Sequence, residues 1–526
     1  MSSGDFSLVR DLLARRAYKD AHALCMKAIR SDPNRGEPYF LLGILAADHE
    51  NHAKAIELYD RAIGLGAAPS EALAQKARSL IALNHRDQAL AAVEQAAHHN
   101  PSDAASLDTI GVVYSRAGLH ERALPWYEKA VETAPGSARL RYNLAVALQF
   151  VGKMDLARQA YEACLERDPS ETRALTGLVQ VSRQTEDDNY LDRLMAAQGV
   201  LARRPSEKQA DETLHICHAI AKTLEDLGRH KEAMNWLARG KAAKLSTLNY
   251  SFDSDSALFE AAISTAEFDL ADGRNQAAPV FIVGLPRTGT TLVDRILSSH
   301  PVMTSAGELT DFALCLKRQL NTPSRYVLDR ETLLGAQQAD MDALGRAYIA
   351  QVGKTLGMEG RFIDKMPLNA FYAPLILKAL PNARLICLRR HPLDTVLSNY
   401  RQLFATSFSY YNYALNLETA ARYYVGFDRM MACFRKALPA DRFTEVHYES
   451  IIADQEGETR RLLDFCGLDF DPACLAFHEN AAPVATASSV QVRRPLYSTS
   501  LNRWRKVEDE LAPAIAILDK AGLLED

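Results

Sequence analysis

A glycine-containing loop between two apolar runs is the first feature that could do chemistry. In VFIVGLPRTGTTLVDRIL, residues 280–297, Gly284 and Gly289 have the G-x-x-x-x-G spacing of a phosphate-binding loop. The lysine that usually follows the second glycine is missing, and Thr290 and Thr291 stand there instead. The glycines allow a tight turn, so that backbone N–H groups and the start of the following helix face one anion. The loop predicts a site for a phosphate-like group.

The side chains of the loop supply what the lysine would bring. Arg287 carries the positive charge, and the threonines add hydroxyl donors. The ligand-binding residues that we predict here are Pro286, Arg287, Thr288, Gly289, Thr290 and Thr291. A kinase or nucleotide triphosphatase would also need a magnesium ligand. The apolar run 383–388 ends in Arg389 and Arg390 rather than in an aspartate, which leaves Asp364 as the candidate for that alternative.

A second anion site is indicated by LRRHPLDTVLSNY. Arg390 follows an apolar run, and Ser398 comes eight residues later in the next predicted helix. Two separate phosphate sites indicate a nucleotide that carries phosphates at both ends of its ribose. The alternative for Arg389 and Arg390 is a solvated basic pair on the surface.

Strands must position these loops. Apolar runs at 279–283, 361–364, 383–388 and 441–448 alternate with helical patterns. This alternation predicts an α/β domain, a P-loop-like, mostly parallel sheet with helices on both faces. In such sheets ligands bind at the carboxyl ends of the strands, and the polar clusters GLPRTGTT, DKMP and RRHPLDTVLSNY all fall there.

The first half of the chain repeats every 34 residues. The recurring alanines are Ala21, Ala55, Ala89, Ala123 and Ala157, and a second set comprises Ala28, Ala62, Ala96 and Ala130, closed by Cys164. Prolines at 33, 101, 135 and 169 share the period. This is the pattern of the tetratricopeptide repeat (TPR), a helix–turn–helix unit that stacks into an α-solenoid. We predict a helical repeat domain over 1–245, a linker over 246–278 and the α/β domain over 279–526.

The repeats predict a protein or peptide ligand on the concave face of the solenoid. Bracing of the neighbouring domain and self-association into a homo-oligomer are the alternatives. The net charge of −5 over 526 residues argues against a nucleic-acid or membrane partner. Eight scattered cysteines without a CxxC pair, and a start without a secretory signal, predict free thiols in the cytoplasm and no structural zinc.

The segment 279–526 resembles the PAPS-dependent sulfotransferases, above all the tyrosylprotein sulfotransferases and bacterial proteins that join TPRs to such a domain. GLPRTGTT is similar to the family's loop for the 5′-phosphosulfate, which also lacks the Walker lysine. LRRHPLDTVLSNY is similar to its 3′-phosphate segment, with Arg390 and Ser398 at the family's spacing. The resemblance implies PAPS as co-substrate, adenosine 3′,5′-bisphosphate (PAP) as product, and no metal.

Catalytic residues are implied by the same resemblance. SAGELTDF is similar to the segment of the catalytic base, which implies this role for Glu308, although Leu309 replaces a glutamate beside it. FIDKMP is similar to the segment of a transition-state lysine and implies Lys365, with Asp364 in place of an asparagine. Arg287 would assist at the bridging oxygen. On the sequence alone, Glu308 could instead cap the helix that follows it.

Two further segments resemble nucleotide-contacting parts of the family. HYESI implies Tyr448. The late stretch ASSVQVRRPLYSTSLNRW implies a catalytic Ser488 (with Ser489 as an alternative) and the contacts Gln491 and Arg494, followed by Trp504. The predicted function is a sulfotransferase acting on a hydroxyl, with protein tyrosine as the leading acceptor and with the TPRs recruiting substrate or partner. The alternatives are a TPR interaction protein with a non-catalytic PAP/PAPS-binding domain, and a P-loop kinase.

Overall fold

A computed structural model describes residues 3–83, 85–203, 209–322, 326–358, 360–406, 408–480, 491–497 and 500–524. The chain divides into two compact units, Met1–Ser182 and Arg183–Asp526. The first unit contains only helices among its described residues, and the second carries the sheet together with further helices.

The first unit is a succession of paired helices. They are α1 Ser3–Ala14, α2 Tyr18–Ser31, α3 Glu37–Asp48, α4 His52–Gly64, α5 Pro69–Ala82, α6 Arg86–His98, α7 Ala104–Arg116, α8 His120–Thr133, α9 Ala138–Phe150, α10 Met154–Arg167 and α11 Thr172–Val181. The periodic alanines all lie on the second helix of a pair and are buried, so that neighbouring helices can approach closely. Pro135 and Pro169 follow the ends of α8 and α10, because proline cannot continue a helix. The predicted α-solenoid is confirmed.

The second unit alternates strands and helices after an all-helical start. Its helices are α12 Leu191–Arg203, α13 Gln209–Asp226, α14 His230–Leu245, α15 Phe252–Ser264, α16 Thr290–Ser298, α17 Asp311–Leu320, α18 Arg330–Gly335, α19 Met341–Leu356, α20 Ala373–Ala379, α21 Pro392–Arg401, α22 Leu417–Ala437, α23 Tyr448–Ala453, α24 Gln455–Phe465 and α25 Ala512–Lys520. The strands are β1 Val280–Gly284, β2 Ile363–Asp364, β3 Arg384–Arg389 and β4 Phe443–His447. Short 3-10 turns join several of these elements, among them Pro367–Tyr372 and Ser409–Leu415.

The four strands form one parallel sheet in the order β2-β1-β3-β4. Val280 pairs with Ile363 on one side and with Arg384 on the other, and Leu385 pairs with Phe443. The predicted parallel sheet is confirmed. The run 361–364 contributes only its last two residues to the ladder.

The strands bury both of their faces. Phe281 and Val283 enter a core shared with helices α17, α19 and α22, whereas Val280 and Ile282 enter a second core shared with α16 and α24. Because side chains alternate along a strand, this division places helices on both faces of the sheet. The ends of β1, β2 and β3 therefore open on one edge, where the polar loops begin.

Helices α12 to α14 pack with the second unit, although the sequence predicts a repeat domain up to residue 245. Helix α15, within the predicted linker 246–278, is anchored by Phe259, whose ring centroid lies 5.2 Å from that of Phe371. The domain limits stay a prediction. Among the described helices, none combines the length and apolar character that crossing a bilayer requires. All eight cysteines are free thiols.

Candidate active site

The loop after β1 has a backbone that requires glycine at both ends. Gly284 has φ 146° and Gly289 has φ 109°, both in the region that other residues avoid. A Cβ on Gly284 would lie 2.7 Å from Leu388 O, and one on Gly289 would lie 2.7 Å from Tyr448 Cδ2. The glycines thus let the loop turn tightly against β3 and against Tyr448, ahead of helix α16.

Helix α21 holds the loop between these glycines. Arg287 has φ 70°, a strained value for a residue with a side chain. Arg390 Nη1 donates to Arg287 O at 3.3 Å, and Asn399 Nδ2 donates to Pro286 O at 2.8 Å. The predicted loop and the predicted second anion segment therefore touch, and Ser398 lies beside Asn399 on the same helix. The role of Asn399 was not predicted.

The three threonines of the loop differ in their surroundings. Thr288 Oγ1 donates to Leu285 O at 2.7 Å, which closes the turn from within. Thr290 and Thr291 are buried and form the first residues of α16. Their backbone N–H groups belong to the first turn, where a helix leaves donors without an internal acceptor.

Arg390 lies at the centre of the predicted 3′-phosphate segment. Its guanidinium lies 4.8 Å from the centroid of the Tyr448 ring, and Nη2 donates to Ser500 O. Tyr448 Oη and Ser500 Oγ are 2.7 Å apart. Within the described residues, the buried Nε of Arg390 has no hydrogen-bond partner. A buried guanidinium N–H that lacks an acceptor fits an anionic ligand.

Arg389 serves a different purpose from its neighbour. It is an ion-pair partner of Asp428 and, at 3.1 Å, of Glu445, and its side chain is 8% exposed. The alternative of a solvated basic pair is wrong for both arginines, because Arg390 is equally buried. Arg389 braces β3, and only Arg390 faces the loop.

Arg401 and Arg503, which the sequence analysis did not identify, add positive charge beside Arg287. Burial lowers the pKa of Arg287 to about 10, and the charges of Arg401 and Arg390 add to this effect. Burial also lowers the pKa of Arg503, again with help from Arg401. Arginines that disfavour one another's charge would be stabilised by an anion placed among them. Arg401 belongs to α21, and Arg503 directly precedes Trp504 in the late stretch, where only its neighbours were predicted as contacts.

The structure describes only some of the predicted residues of the late stretch. Ser488 lies outside the described residues. Gln491 begins the short turn Gln491–Arg493, and Arg494 is exposed at the edge of the arginine cluster, where its charge acts on Tyr497. Trp504 stacks on His391, with ring centroids 5.5 Å apart.

The predicted base and the predicted lysine form an ion pair. Lys365 Nζ donates to Glu308 Oε1, and Lys365 N donates to Gly307 O at 2.9 Å. Helix α17 begins only at Asp311, after Thr310, so Glu308 lies outside the helix that it was expected to cap under the alternative. The pair follows β2, the strand that pairs with β1, and the Lys365 charge acts on Asp294 in α16, the helix after the loop.

Asp294 is a carboxylate behind this pair that no motif identified. It is buried on α16, and the hydroxyl of Ser305 donates to it. Burial raises the pKa of Asp294, and the nearby Lys365 charge opposes that rise. Its Oδ1 has no hydrogen-bond partner in the described parts of the chain. Ser305 Oγ in turn accepts from Gly307 N at 3.2 Å, directly before Glu308.

Two tyrosines lie within reach of the Glu308 charge. The pKa of Tyr410 is raised by burial and then by the Glu308 charge, and the pKa of Tyr411 is raised by burial, then by Tyr410 and then by the Glu308 charge. Tyr411 stacks on Phe404, with ring centroids 4.3 Å apart. These rings provide an apolar wall beside a carboxylate.

Asp364, the magnesium candidate of the kinase alternative, is turned into the core. Tyr348 Oη donates to its Oδ2 at 2.8 Å, and Asn369 Nδ2 does so at 3.2 Å. Burial raises the pKa of Asp364 to about 8. Its Oδ2 is therefore taken by partners in the core, whereas its buried Oδ1 has no hydrogen-bond partner among the described residues.

The comparisons with known proteins concern both parts of the chain. Residues 279–472 match the sulfotransferase family, and residues 6–72, 75–138, 138–171 and 214–243 match tetratricopeptide repeats. A relative from Aquifex aeolicus described as an uncharacterized protein is 26% identical over 402 residues, 74% of this chain and 52% of its own length. This chain thus spans about half the length of that relative.

Other relatives match the second half. A putative protein-tyrosine sulfotransferase from Caenorhabditis briggsae is 24% identical over 45% of this chain and 88% of its own length. The protein-tyrosine sulfotransferase of Drosophila melanogaster is 24% identical over 43% of this chain and 46% of its own. Among solved structures, a sulfotransferase domain from the curacin biosynthetic pathway is 16% identical, covers 47% of this chain and 99% of its own, and has a TM-score of 0.33. The chain joins tetratricopeptide repeats to a domain of the sulfotransferase family.

Proposed function

We propose that this protein is a PAPS-dependent sulfotransferase that moves a sulfuryl group to an acceptor hydroxyl, with protein tyrosine as the leading acceptor. The observation that carries the proposal is the Glu308–Lys365 ion pair at the same sheet edge as a loop that is bonded to Arg390. A base and a cation next to an anion site are what in-line transfer to a hydroxyl requires. The relatives named as protein-tyrosine sulfotransferases support tyrosine as the acceptor.

The residues at the sheet edge divide the donor between two sites. The loop N–H groups, Arg287 and the hydroxyls of the loop threonines would hold the 5′-phosphosulfate. Arg390 and Ser398, with Tyr448 beneath, would hold the 3′-phosphate. Gln491 and Arg494 stay predicted contacts at the outer edge, and Ser488 stays a predicted catalytic residue.

Glu308 and Lys365 would exchange partners during transfer. The acceptor oxygen forms a bond to sulfur, the bond between sulfur and the 5′-phosphate oxygen breaks, and Glu308 takes the acceptor proton. Once protonated, Glu308 no longer holds Lys365 by charge. The Lys365 ammonium and Arg287 can then neutralise the charge that develops on the leaving oxygen, which departs on PAP.

The repeats and the cellular location complete the proposal. The TPR array would recruit a protein or peptide substrate or partner, which agrees with a protein acceptor. We place the protein in the cytoplasm, because its eight cysteines are all free thiols. Self-association through the repeats is the alternative use of that surface.

Incubation with radiolabelled PAPS and tyrosine-containing peptides tests the proposal directly. Transfer by the wild type that is lost in Glu308→Ala is the expected result. PAP binding without any transfer would favour the non-catalytic alternative. Magnesium-dependent ATP binding without PAP binding, measured by calorimetry, would favour a kinase.

A further inference from the structure

Side chains of the hairpin formed by α13 and α14 donate hydrogen bonds to backbone carbonyls at the end of α21 and in the stretch that follows it. Lys241 Nζ donates to Ala414 O at 2.9 Å and to Gln402 O at 3.4 Å. His218 Nε2 donates to Arg401 O at 3.0 Å. Two side chains of one hairpin therefore fix both ends of the stretch between α21 and α22.

Burial of the Lys241 ammonium group at this position costs free energy. Its side chain is buried, and its ammonium lies 5.1 Å from the centroid of the Tyr400 ring. Burial lowers the pKa of Lys241 to about 7. In the described part of the chain, no acidic side chain forms an ion pair with it. A methionine would fill similar space without a buried charge. The amine therefore contributes through its hydrogen bonds to the two carbonyls.

The stretch between these bonds carries the aromatic wall beside Glu308. Residues 402–406 and 408–415, here called the acceptor segment, include Phe404, Tyr410 and Tyr411. The Glu308 charge acts on both tyrosines. Tyr413 Oη of the same segment donates to Asn399 Oδ1 at 2.8 Å, and Asn399 in turn bonds the loop at Pro286 O. Displacement of the acceptor segment would therefore change the surface that an acceptor meets.

The same hairpin also reaches the donor side. Glu225, near the end of α13, makes a two-pronged ion pair with Arg401 at the end of α21. Arg401 in turn acts on the charges of Arg287 and Arg503. The hairpin thus fixes the last residue of the helix that carries Ser398.

We propose that hairpin α13–α14 is a positioning element of the transfer site, which holds the acceptor segment in place through Lys241 and His218. This inference rests on the proposed transfer function and adds to it a role for helices that match a tetratricopeptide repeat. These helices act on the catalytic domain itself, and not only on a distant partner. Neither Lys241 nor His218 needs to touch a substrate.

Lys241→Met in the full chain is the direct test, because it keeps the volume and removes both bonds. The matched control is Lys222→Met, which removes a lysine from the same hairpin whose ion pair with Asp226 stays within α13. We expect hydrogen exchange of the acceptor-segment amides to become about fivefold to thirtyfold faster in Lys241→Met, since the two lost hydrogen bonds are together worth roughly 1 to 2 kcal/mol. The KM for a tyrosine peptide should rise by about the same factor, with the Kd for PAP within about twofold.

Unchanged exchange in Lys241→Met, or faster exchange with an unchanged KM, would overturn the inference. An equal effect in the Lys222→Met control would do the same. If Lys241→Met does not fold, His218→Phe is the second test, because it removes the bond to Arg401 O. It must likewise speed exchange in the acceptor segment and raise the KM. A wild type that binds no PAP contradicts the proposed function instead, and exchange in the acceptor segment still decides whether the hairpin holds it.

Discussion

Lys365 and Glu308 form an ion pair whose members differ sharply in exposure. The Lys365 side chain is 1% exposed and that of Glu308 is 41% exposed. The Lys365 ammonium group is thus enclosed by the protein, whereas the Glu308 carboxylate is accessible to an incoming hydroxyl group. This asymmetry suits a base that meets the acceptor and a cation that meets the leaving oxygen.

Replacement of the base should abolish transfer without loss of donor binding. In Glu308→Gln, the side chain keeps its shape but cannot take the acceptor proton, so kcat should fall by about 10²-fold to 10⁴-fold. The Kd for PAP, measured by calorimetry, should stay close to wild type. Glu260→Gln is the control, because it removes a carboxylate from an exposed ion pair with Arg429. A Glu308→Gln variant with wild-type kcat would exclude Glu308 as the base.

The two adjacent arginines should differ in their effect on PAP binding. Arg390→Met removes the guanidinium that faces the loop, so PAP affinity should fall at least about tenfold. It also removes the 3.7 Å pairing with the buried Asp394, so the free energy of unfolding should fall as well. Arg389→Met leaves Asp428 and Glu445 without their buried partner and should lower the free energy of unfolding by about 3 kcal/mol. Calorimetry and thermal denaturation separate the two effects. If Arg389→Met is folded but loses PAP binding while Arg390→Met keeps it, the roles assigned to the two arginines are reversed.

The main features of the fold, and the sheet edge where the candidate site lies, could be predicted because they rest on local patterns. The alanine period requires close helix contacts, and apolar runs that end in polar clusters require strands that end at a ligand. Gly284, Gly289 and Arg390 were found in this way. Glu308 and Lys365 needed the family resemblance, since neither has a distinctive sequence neighbourhood.

The remaining site residues depend on contacts between distant parts of the chain. Asn399 bonds the loop across 113 positions, and Arg503 and Asp294 enter the site through packing alone. No spacing encodes such contacts. Asp364 shows the converse: its position at a strand end suggested a ligand, but its carboxyl bonds Tyr348 in the core.

The buried carboxyl of Asp364 should make stability depend on pH. Burial raises its pKa from 3.8 to about 8, so the folded protein keeps this proton up to about pH 8 while the unfolded chain loses it near pH 4. The folded state therefore binds more protons between these values, and its free energy of unfolding should fall as the pH rises. Asp364→Asn, which cannot titrate, should gain stability relative to wild type by a few kcal/mol between pH 5 and pH 8. Denaturant titrations at both values measure this, and parallel pH profiles for the two proteins would refute it.

Asp294 should act on the rate through Lys365 and Ser305 rather than by contact with a substrate. Asp294→Asn removes a negative charge near the Lys365 ammonium and weakens the bond that orients Ser305 before Glu308. We therefore expect kcat to fall by about tenfold, with the KM for the acceptor and the Kd for PAP nearly unchanged. Asp294→Glu, which keeps the charge, should recover part of the rate and restore the wild-type pH profile of kcat.

Ser305→Ala separates the two contributions of Asp294. It removes the link to Gly307 but leaves the carboxylate beside Lys365, so its kcat should lie between those of the wild type and Asp294→Asn, with the pH profile of the wild type. Circular dichroism and thermal denaturation must show that all three variants are folded. If Asp294→Asn lowers kcat and raises the Kd for PAP equally, Asp294 supports the fold of helix α16 rather than the alignment of Lys365 and Glu308. If its kcat equals that of the wild type, the carboxylate has no part in the transfer step.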